Sequence, residues 1–299
     1  VAYINGTVLD ANPGPALHAL MAPALTTAGF TLVDTVVIST RTHKVWKSPA
    51  ASNVQNLDWY LDIGYTTTGA GTIALVAFEM FDPATDLGYR GPYTASSAVI
   101  DPATGSRYGA AGFALETNWL PNAGTAGIQT SLTTTAFAYW VSATADRVIL
   151  MCGGAPTVVM YAGFYSPDPL YAAKAGGLIY PLYAGKAAAG SSSTQSAALT
   201  RVPPLTGGMN WQTTVETSFS TASLPQLPGS STAAYPFVAV PVPVLGTNAV
   251  TLGRWGFLRD VYGVPSSGVI RGDTATIGGA GYVLASTSGS SNSLAFKAV

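Results

Sequence analysis

The chain has 299 residues, only 9% of them charged, with 13 Lys plus Arg against 14 Asp plus Glu and a formal net charge of -1. An average soluble domain carries about 25% charged residues, and the lack of a basic excess to neutralise a phosphate backbone argues against nucleic acid as a partner. The 6 Trp, 15 Tyr and 10 Phe exclude disorder for most of the chain, and a single Cys152 with 2 His excludes a disulfide scaffold and argues against a zinc cluster.

Taken in order, the first predicted element is a helix. Pro13-Gly14-Pro15 leads into Leu17, Leu20, Met21 and Leu25 at helical spacing, and Gly29 stands where a helix stops. A short helix is therefore expected near 15–28, bent or divided at Pro23. The period then changes. Phe30–Ile38 and the alternating Thr42–Lys47 read as strands, and Asp58–Tyr65 and Gly71–Phe81 flank a hairpin loop at Thr66–Ala70. Residues 82–136 carry turn signals at Asp82-Pro83, Gly91-Pro92, Asp101-Pro102 and Pro121-Asn122, which predict long loops over the sheet. Phe137–Ser142 and Val148–Cys152 flank a second hairpin loop at Ala143–Asp146, and Thr157–Tyr165 follows as a strand. Residues 187–200 read as a flexible Ser/Ala-rich linker. Pro236–Pro243 alternates apolar residues with Pro, as an edge strand or extended arm does, and Arg254–Tyr262 is the most structured stretch of the last third.

The expected fold is mainly β: β-sandwich, jelly-roll-like or barrel modules with one short N-terminal helix and long loops. The expected division is a β-rich N-terminal domain over 1–186, the linker at 187–200, and a C-terminal β-rich domain or extended arm over 201–299. Mean hydropathy is +0.31. Yet the longest apolar runs, such as Thr72–Phe81, fall short of the about 18–20 residues that a spanning helix needs, so membrane insertion is not expected. No Lys/Arg-led apolar segment opens the chain, so no secretory leader is expected in it.

The motifs that could carry chemistry are weak. Gly69-Ala70-Gly71-Thr72-Ile73-Ala74 fits a dinucleotide pattern but is followed by β-formers, so a hairpin is expected instead. The Gly185-Lys186 pair lacks the rest of a P-loop. His18 and His43 lie outside any nucleophile-elbow context, which assigns both structural or surface roles. Asp58 and Asp62, at even separation, would share one strand face, with Glu79 and Asp82 closing the next strand. Two carboxylates about 5–10 Å apart can serve as acid and base at a glycosidic bond. The preferred reading is solvent-facing charges beside Trp59 and Tyr60, and such aromatics could equally bind a sugar. Asp146-Arg147 reads as hairpin chemistry, with an ion pair to a neighbouring strand or subunit as the further option. Arg271-Gly272-Asp273 reads as a turn, and Asn5-Gly6-Thr7 is a formal sequon. No catalytic, cofactor-binding or metal-binding residue is assigned, and no cofactor is expected.

Several runs are familiar together: Ala28-Gly29-Phe30-Thr31-Leu32-Val33, Val45-Trp46-Lys47-Ser48-Pro49, Phe78-Glu79-Met80-Phe81-Asp82, Tyr139–Ile149, Met160–Tyr165 and Leu252–Gly263. This ordered set resembles a family of uncharacterised virion structural proteins of tailed bacteriophages. The resemblance implies a β-rich subunit of the tail, neck or baseplate, located in the virion after assembly in the host cytoplasm, with no catalysis. The partners it implies are copies of the chain itself and other virion proteins. The low charge agrees with this, because a repeated subunit buries Thr/Ser-rich and apolar surface against its copies. The alternatives are a carbohydrate- or host-receptor-binding β-sandwich, with a host surface glycan as partner, and a capsid decoration protein; a hydrolase using Asp58, Asp62 or Glu79 ranks below them. Candidate assembly or sugar-contact positions are Trp59, Tyr60 and, on the Pro-rich arm, Tyr235, Pro236 and Phe237.

Overall fold

The computed structural model describes residues 1–38, 40–78, 80–84, 87–89, 99–100, 107–108, 113–114, 128–153, 158–169, 181–187, 198–200, 212–217, 240–246, 253–265, 270–285 and 292–298. The chain opens with β1 (Ala2–Val8), the helix α1 (Pro13–Thr27), β2 (Thr31–Ile38), β3 (Arg41–Lys47), β4 (Tyr60–Thr66) and β5 (Thr72–Phe78). Short strands follow: β6 (Met80–Asp82), β7 (Leu87–Tyr89), β8 (Val99–Ile100), β9 (Arg107–Tyr108), β10 (Phe113–Ala114) and β11 (Ile128–Ser131). Then come β12 (Phe137–Thr144), β13 (Arg147–Gly153), β14 (Val158–Phe164), β15 (Ser166–Pro167), β16 (Pro181–Ala187), β17 (Ala198–Thr200) and β18 (Gln212–Thr217). The last five are β19 (Val240–Gly246), β20 (Gly253–Pro265), β21 (Thr274–Ile277), β22 (Ala280–Ala285) and β23 (Asn292–Lys297).

These strands make a mainly β, sandwich-like fold with one α-helix among the described residues. One five-stranded sheet runs β1-β12-β13-β14-β16, a second runs β11-β5-β4-β3-β2, and a C-terminal sheet runs β17-β18-β19-β20-β23-β22-β21, with β15 paired to β20. Small sheets β10-β7-β6 and β8-β9 complete the set. The first two sheets meet where β5 packs against β14 and β16. In β4 and β5 every interior residue is buried, so both faces of these central strands are covered. That explains why β5 reads as a near-continuous apolar run rather than as alternation.

The helix ends as its sequence demands. Gly29 takes φ +91, the left-handed conformation that costs a glycine least. The Gly29 N–H then donates to Thr26 O and the Phe30 N–H to Leu25 O, the pair of bonds of a Schellman stop. Phe30 and Leu25 are both buried, supplying the hydrophobic contact that accompanies it. Two details differ from expectation. The helix runs unbroken through Pro23, which faces solvent. Leu20, expected on the apolar face, is 38% exposed, and His18 is buried beside Leu17 and Met21 instead.

The C-terminal strands alternate between two cores. Val283, Ala285, Leu294 and Phe296 enter the main buried cluster shared with the N-terminal sheets and α1, whereas Tyr282, Leu284 and Ala295 enter a second, smaller one. Most of the expected linker, 188–197, lies outside the described residues; on either side of it the strands contribute to the same main core. Of the Pro-rich segment Pro236–Pro243, residues 236–239 lie outside the described residues, and residues 240–243 are paired by β20 alone among the described strands, as an edge is, although β19 continues into the sheet interior. β19 is paired on both sides, by β18 and by β20. Its prolines are tolerated because β18 pairs only Val244–Gly246, beyond Pro241 and Pro243, and the ladder with β20 shifts register at those prolines.

Candidate functional site

The groups with chemical potential lie mostly in the interior. On β3 and β4, Val45 stands opposite Asp62 and His43 opposite Gly64, so His43 and Asp62 are diagonal neighbours on one face. The missing side chain at Gly64 leaves the imidazole room to lean toward the carboxylate, and His43 Nδ1 lies 2.9 Å from Asp62 Oδ2. An ionised carboxylate accepts only, so Nδ1 is then the donor. Both side chains are fully buried. The pair has two members of a nucleophilic triad but is sealed inside the sheet.

The other face of β3 meets the helix. Trp46 Nε1 donates to His18 Nε2 at 3.4 Å, which places the imidazole proton on Nδ1, and Tyr65 stacks obliquely with ring centroids 5.5 Å apart. Burial, reinforced by repulsion from Lys44, pushes His18 from its ordinary 6.5 down to about 4. The unfolded chain thus takes up this proton at a higher pH than the folded one. The contribution is complete above pH 6.5 and is lost as the pH falls toward 4, at about 1.4 kcal/mol per pH unit and roughly 3 kcal/mol in all. The urea midpoint is expected to fall across that window. His18→Gln, which keeps an acceptor for the Trp46 indole, is expected to flatten that part of the profile; an unchanged profile would place the acid sensitivity elsewhere.

A second polar centre joins the N-terminal sheet to the C-terminal one. The β12–β13 turn carries Asp146, β13 opens with Arg147, and β20 carries Arg259 and Asp260. Arg147 is fully buried; its Nε and Nη2 donate to Asp260 Oδ2 at 3.1 and 3.0 Å, and its Nη1 donates to Ser142 O and Oγ at 3.0 and 2.9 Å. Ser142 Oγ in turn donates to Lys297 O at 2.6 Å. The reciprocal pair, Arg259 Nη1 to Asp146 Oδ2, is 3.8 Å. Asp260 adopts φ 61, a region where Asp is among the few side-chain-bearing residues tolerated. The ion pair that was the further option for Asp146-Arg147 is therefore made within the chain, from Arg147 to a strand more than 100 residues later. Nearby Tyr161 donates to Phe164 O at 2.6 Å, with burial pushing its phenol up, and burial pushes the Cys152 thiol up to about 12. A buried thiol held protonated is not a nucleophile.

The residues singled out from sequence are dispersed. Trp59, expected at a sugar or subunit contact, is a core residue: it is fully buried, Phe30 meets it edge-on at 5.4 Å, and its Nε1 donates to Ala145 O at 3.0 Å. Tyr60 is half-buried against Phe81, and burial raises its phenol pKa. Tyr235, Pro236 and Phe237 lie outside the described residues. Asp58 and Asp62 do not form a carboxylate pair facing solvent. β4 begins at Tyr60, leaving Asp58 in the preceding loop, bound to Lys47 at 2.7 Å, while Asp62 is sealed with His43. Glu79 and the side chain of Asp82 lie outside the described residues. Gly69–Ala74 is the hairpin expected, with the Gly69 N–H donating to Asn12 Oδ1. Arg271-Gly272-Asp273 is a turn tied to β22, where the Gly272 N–H donates to Leu284 O and the Leu284 N–H to Asp273 O, both at 2.8 Å. Among the described residues no group of three or more His, Cys, Asp or Glu is placed to hold a metal, and no helix is long and apolar enough to cross a membrane.

What the surface offers is an edge. Among the described residues, β2 ends its sheet and pairs on one side only, with β3. Leu32, Val33 and Val37 along it are 45%, 40% and 65% exposed. Phe30–Ile38 was legible as a strand in the sequence; its place at the rim of the sheet was not. No protein-family model matches the chain, and no curated protein matches it.

Proposed function

We propose that the chain is a structural subunit of a tailed-bacteriophage virion, a component of the tail, neck or baseplate that works by subunit–subunit assembly without turnover. The observation that carries this reading is the separation of chemistry from surface. The histidines, Cys152, Asp62 and Arg147 are buried, whereas Leu32, Val33 and Val37 of β2 stand exposed along an edge that no other described strand pairs. Edges of this kind associate with other strands. The low charge of the whole chain supports the same reading, because little long-range repulsion opposes contact between copies. The order of sequence runs that resembles virion structural proteins supplies the particle. The carbohydrate reading loses Trp59, its first stacking residue, to the core.

Quantitative mass spectrometry of density-purified particles tests the proposal. A few to a few dozen copies per particle are expected. Hundreds would make the chain a capsid decoration protein, and absence from the particles would overturn the virion reading.

A further inference from the structure

Among the described strands that end a sheet, most are blunted. β11, β17 and β21 have four, three and four residues, β16 contains Pro181 and Lys186, and β1 presents polar Asn5 and Thr7. Short length, Pro, Lys and polar residues are the usual guards of an edge. β2 has eight residues, no Pro and no Lys or Arg; it is guarded by a bulge between Leu32 and Asp34 and by its one charge, Asp34, whose Oδ1 accepts the Thr35 N–H at 2.6 Å, a bond that pairing through Thr35 would have to exchange. Beyond the bulge, Asp34–Ile38 pairs regularly with β3.

We propose that β2 pairs antiparallel with the β2 of a second copy of this chain, joining two sheets into one continuous sheet. This rests on the assembly reading above for its purpose and names the surface and the partner. The register follows from geometry. A two-fold axis that makes neighbouring strands antiparallel stands perpendicular to the sheet, so opposed residues must lie on the same face. Faces alternate with period 2, so the axis passes through a residue rather than between two. Through Asp34 it would set two carboxylates opposite each other, which is destabilising. Through Val36 it uses the whole regular stretch. Thr35 then lies opposite Val37 of the second copy, Asp34 opposite Ile38, and Val36 opposite its own counterpart. The two Asp34 residues stand about 13 Å apart along the strands, beyond the screening length of about 8 Å at physiological salt. Self-pairing in this register therefore carries no charge penalty and covers Val37. Five residues a side make an interface below the standard size of about 1,600 Å², so the dimer is expected to depend on concentration.

The test uses the whole chain. Sedimentation equilibrium across a wide concentration range is expected to show reversible dimerisation. Val37→Lys, at a position 65% exposed, is expected to raise the dimer Kd by at least about tenfold while leaving the thermal midpoint in place. Cysteine variants report the register, because the native Cys152 is buried. Thr35→Cys mixed with Val37→Cys is expected to give a disulfide-linked heterodimer. Neither alone should cross-link, because identical positions in this register stand about 8 Å apart, beyond the roughly 7 Å reach of a disulfide. A monomeric wild type, an unaffected Val37→Lys dimer, or equal cross-linking by one variant alone would overturn the proposal. A monomeric chain found in purified particles would overturn β2 pairing and leave the assembly reading standing. A β2 dimer formed by a chain absent from particles would support the pairing and remove the virion.

Discussion

Arg147→Met is expected to lower the unfolding free energy by about 2–3 kcal/mol, below the roughly 3–5 kcal/mol typical of breaking a fully buried ion pair from one side, because the Asp260 side chain is 26% exposed. The guanidinium is fully buried and donates to Asp260 Oδ2 through two nitrogens and to Ser142 O and Oγ through a third. Its loss leaves a partly exposed carboxylate without its counter-ion and removes the donor to Ser142 O and Oγ. The carboxylate also sits on a residue at φ 61, where the left-handed conformation must be maintained by its surroundings. Urea denaturation with an unchanged m-value would measure the loss. Arg147→Met with Asp260→Asn is expected to recover part of it, because Asn tolerates the left-handed region and carries no unpaired charge. The coupling between the two positions, read from the double-mutant cycle, is expected to exceed about 1 kcal/mol. A loss below about 1 kcal/mol in the single variant would mean that this centre does not hold the C-terminal sheet to the N-terminal one.

Gly163→Ala is expected to cost about 3 kcal/mol or more, or to leave no folded protein. Gly163 stands opposite Arg147 in the β13–β14 ladder with φ +135. A Cβ there would lie 2.2 Å from Asp146 O and 2.5 Å from Arg147 Cα. Both are backbone atoms, so no rotamer change relieves the clash, and the same Asp146 O accepts the Phe164 N–H at 2.8 Å. Gly69→Ala serves as the control. Gly69 also has positive φ, at 65, but a Cβ there meets nothing within 4 Å. Only the conformational cost of about 1–2 kcal/mol should appear. Thermal unfolding of the two variants separates clash from strain: similar losses would mean that the hairpin yields around residue 163.

The elements legible in advance are those set by neighbours along the chain. α1 follows from an apolar spacing of three and four and a terminal glycine, and the strand pairs on either side of Thr66–Ala70 and of the Asp146 turn follow from apolar runs broken by turn residues. β1 was missed because Asn5-Gly6 interrupts its seven residues with turn chemistry, and its strand state comes from pairing along its full length with β12. β11 was missed because four residues carry little period of their own; β5 supplies the ladder.

The candidate sites were less legible, for a related reason. Even spacing placed Asp58 and Asp62 on one face, but the strand begins between them, so one carboxylate stays at the surface with Lys47 and the other is enclosed with His43. Trp59 beside two carboxylates suits a sugar contact in sequence; its burial is decided by Phe30, Phe164 and Ala145, remote in the chain. His18 differs from Leu20 only by its angle around the helix, and Trp46 and Tyr65 select which one is enclosed.

By itself, then, the sequence determined the mainly β class, the N-terminal helix and its stop, the principal hairpins and a chain poor in charge, because local sterics, period and composition suffice for these. Only the tertiary structure decided which polar groups are sealed and which strand ends its sheet. Arg147 meets Asp260, and β2 stands at the end of its sheet among the described residues, through contacts between distant segments, where burial and pairing are properties of the packed chain.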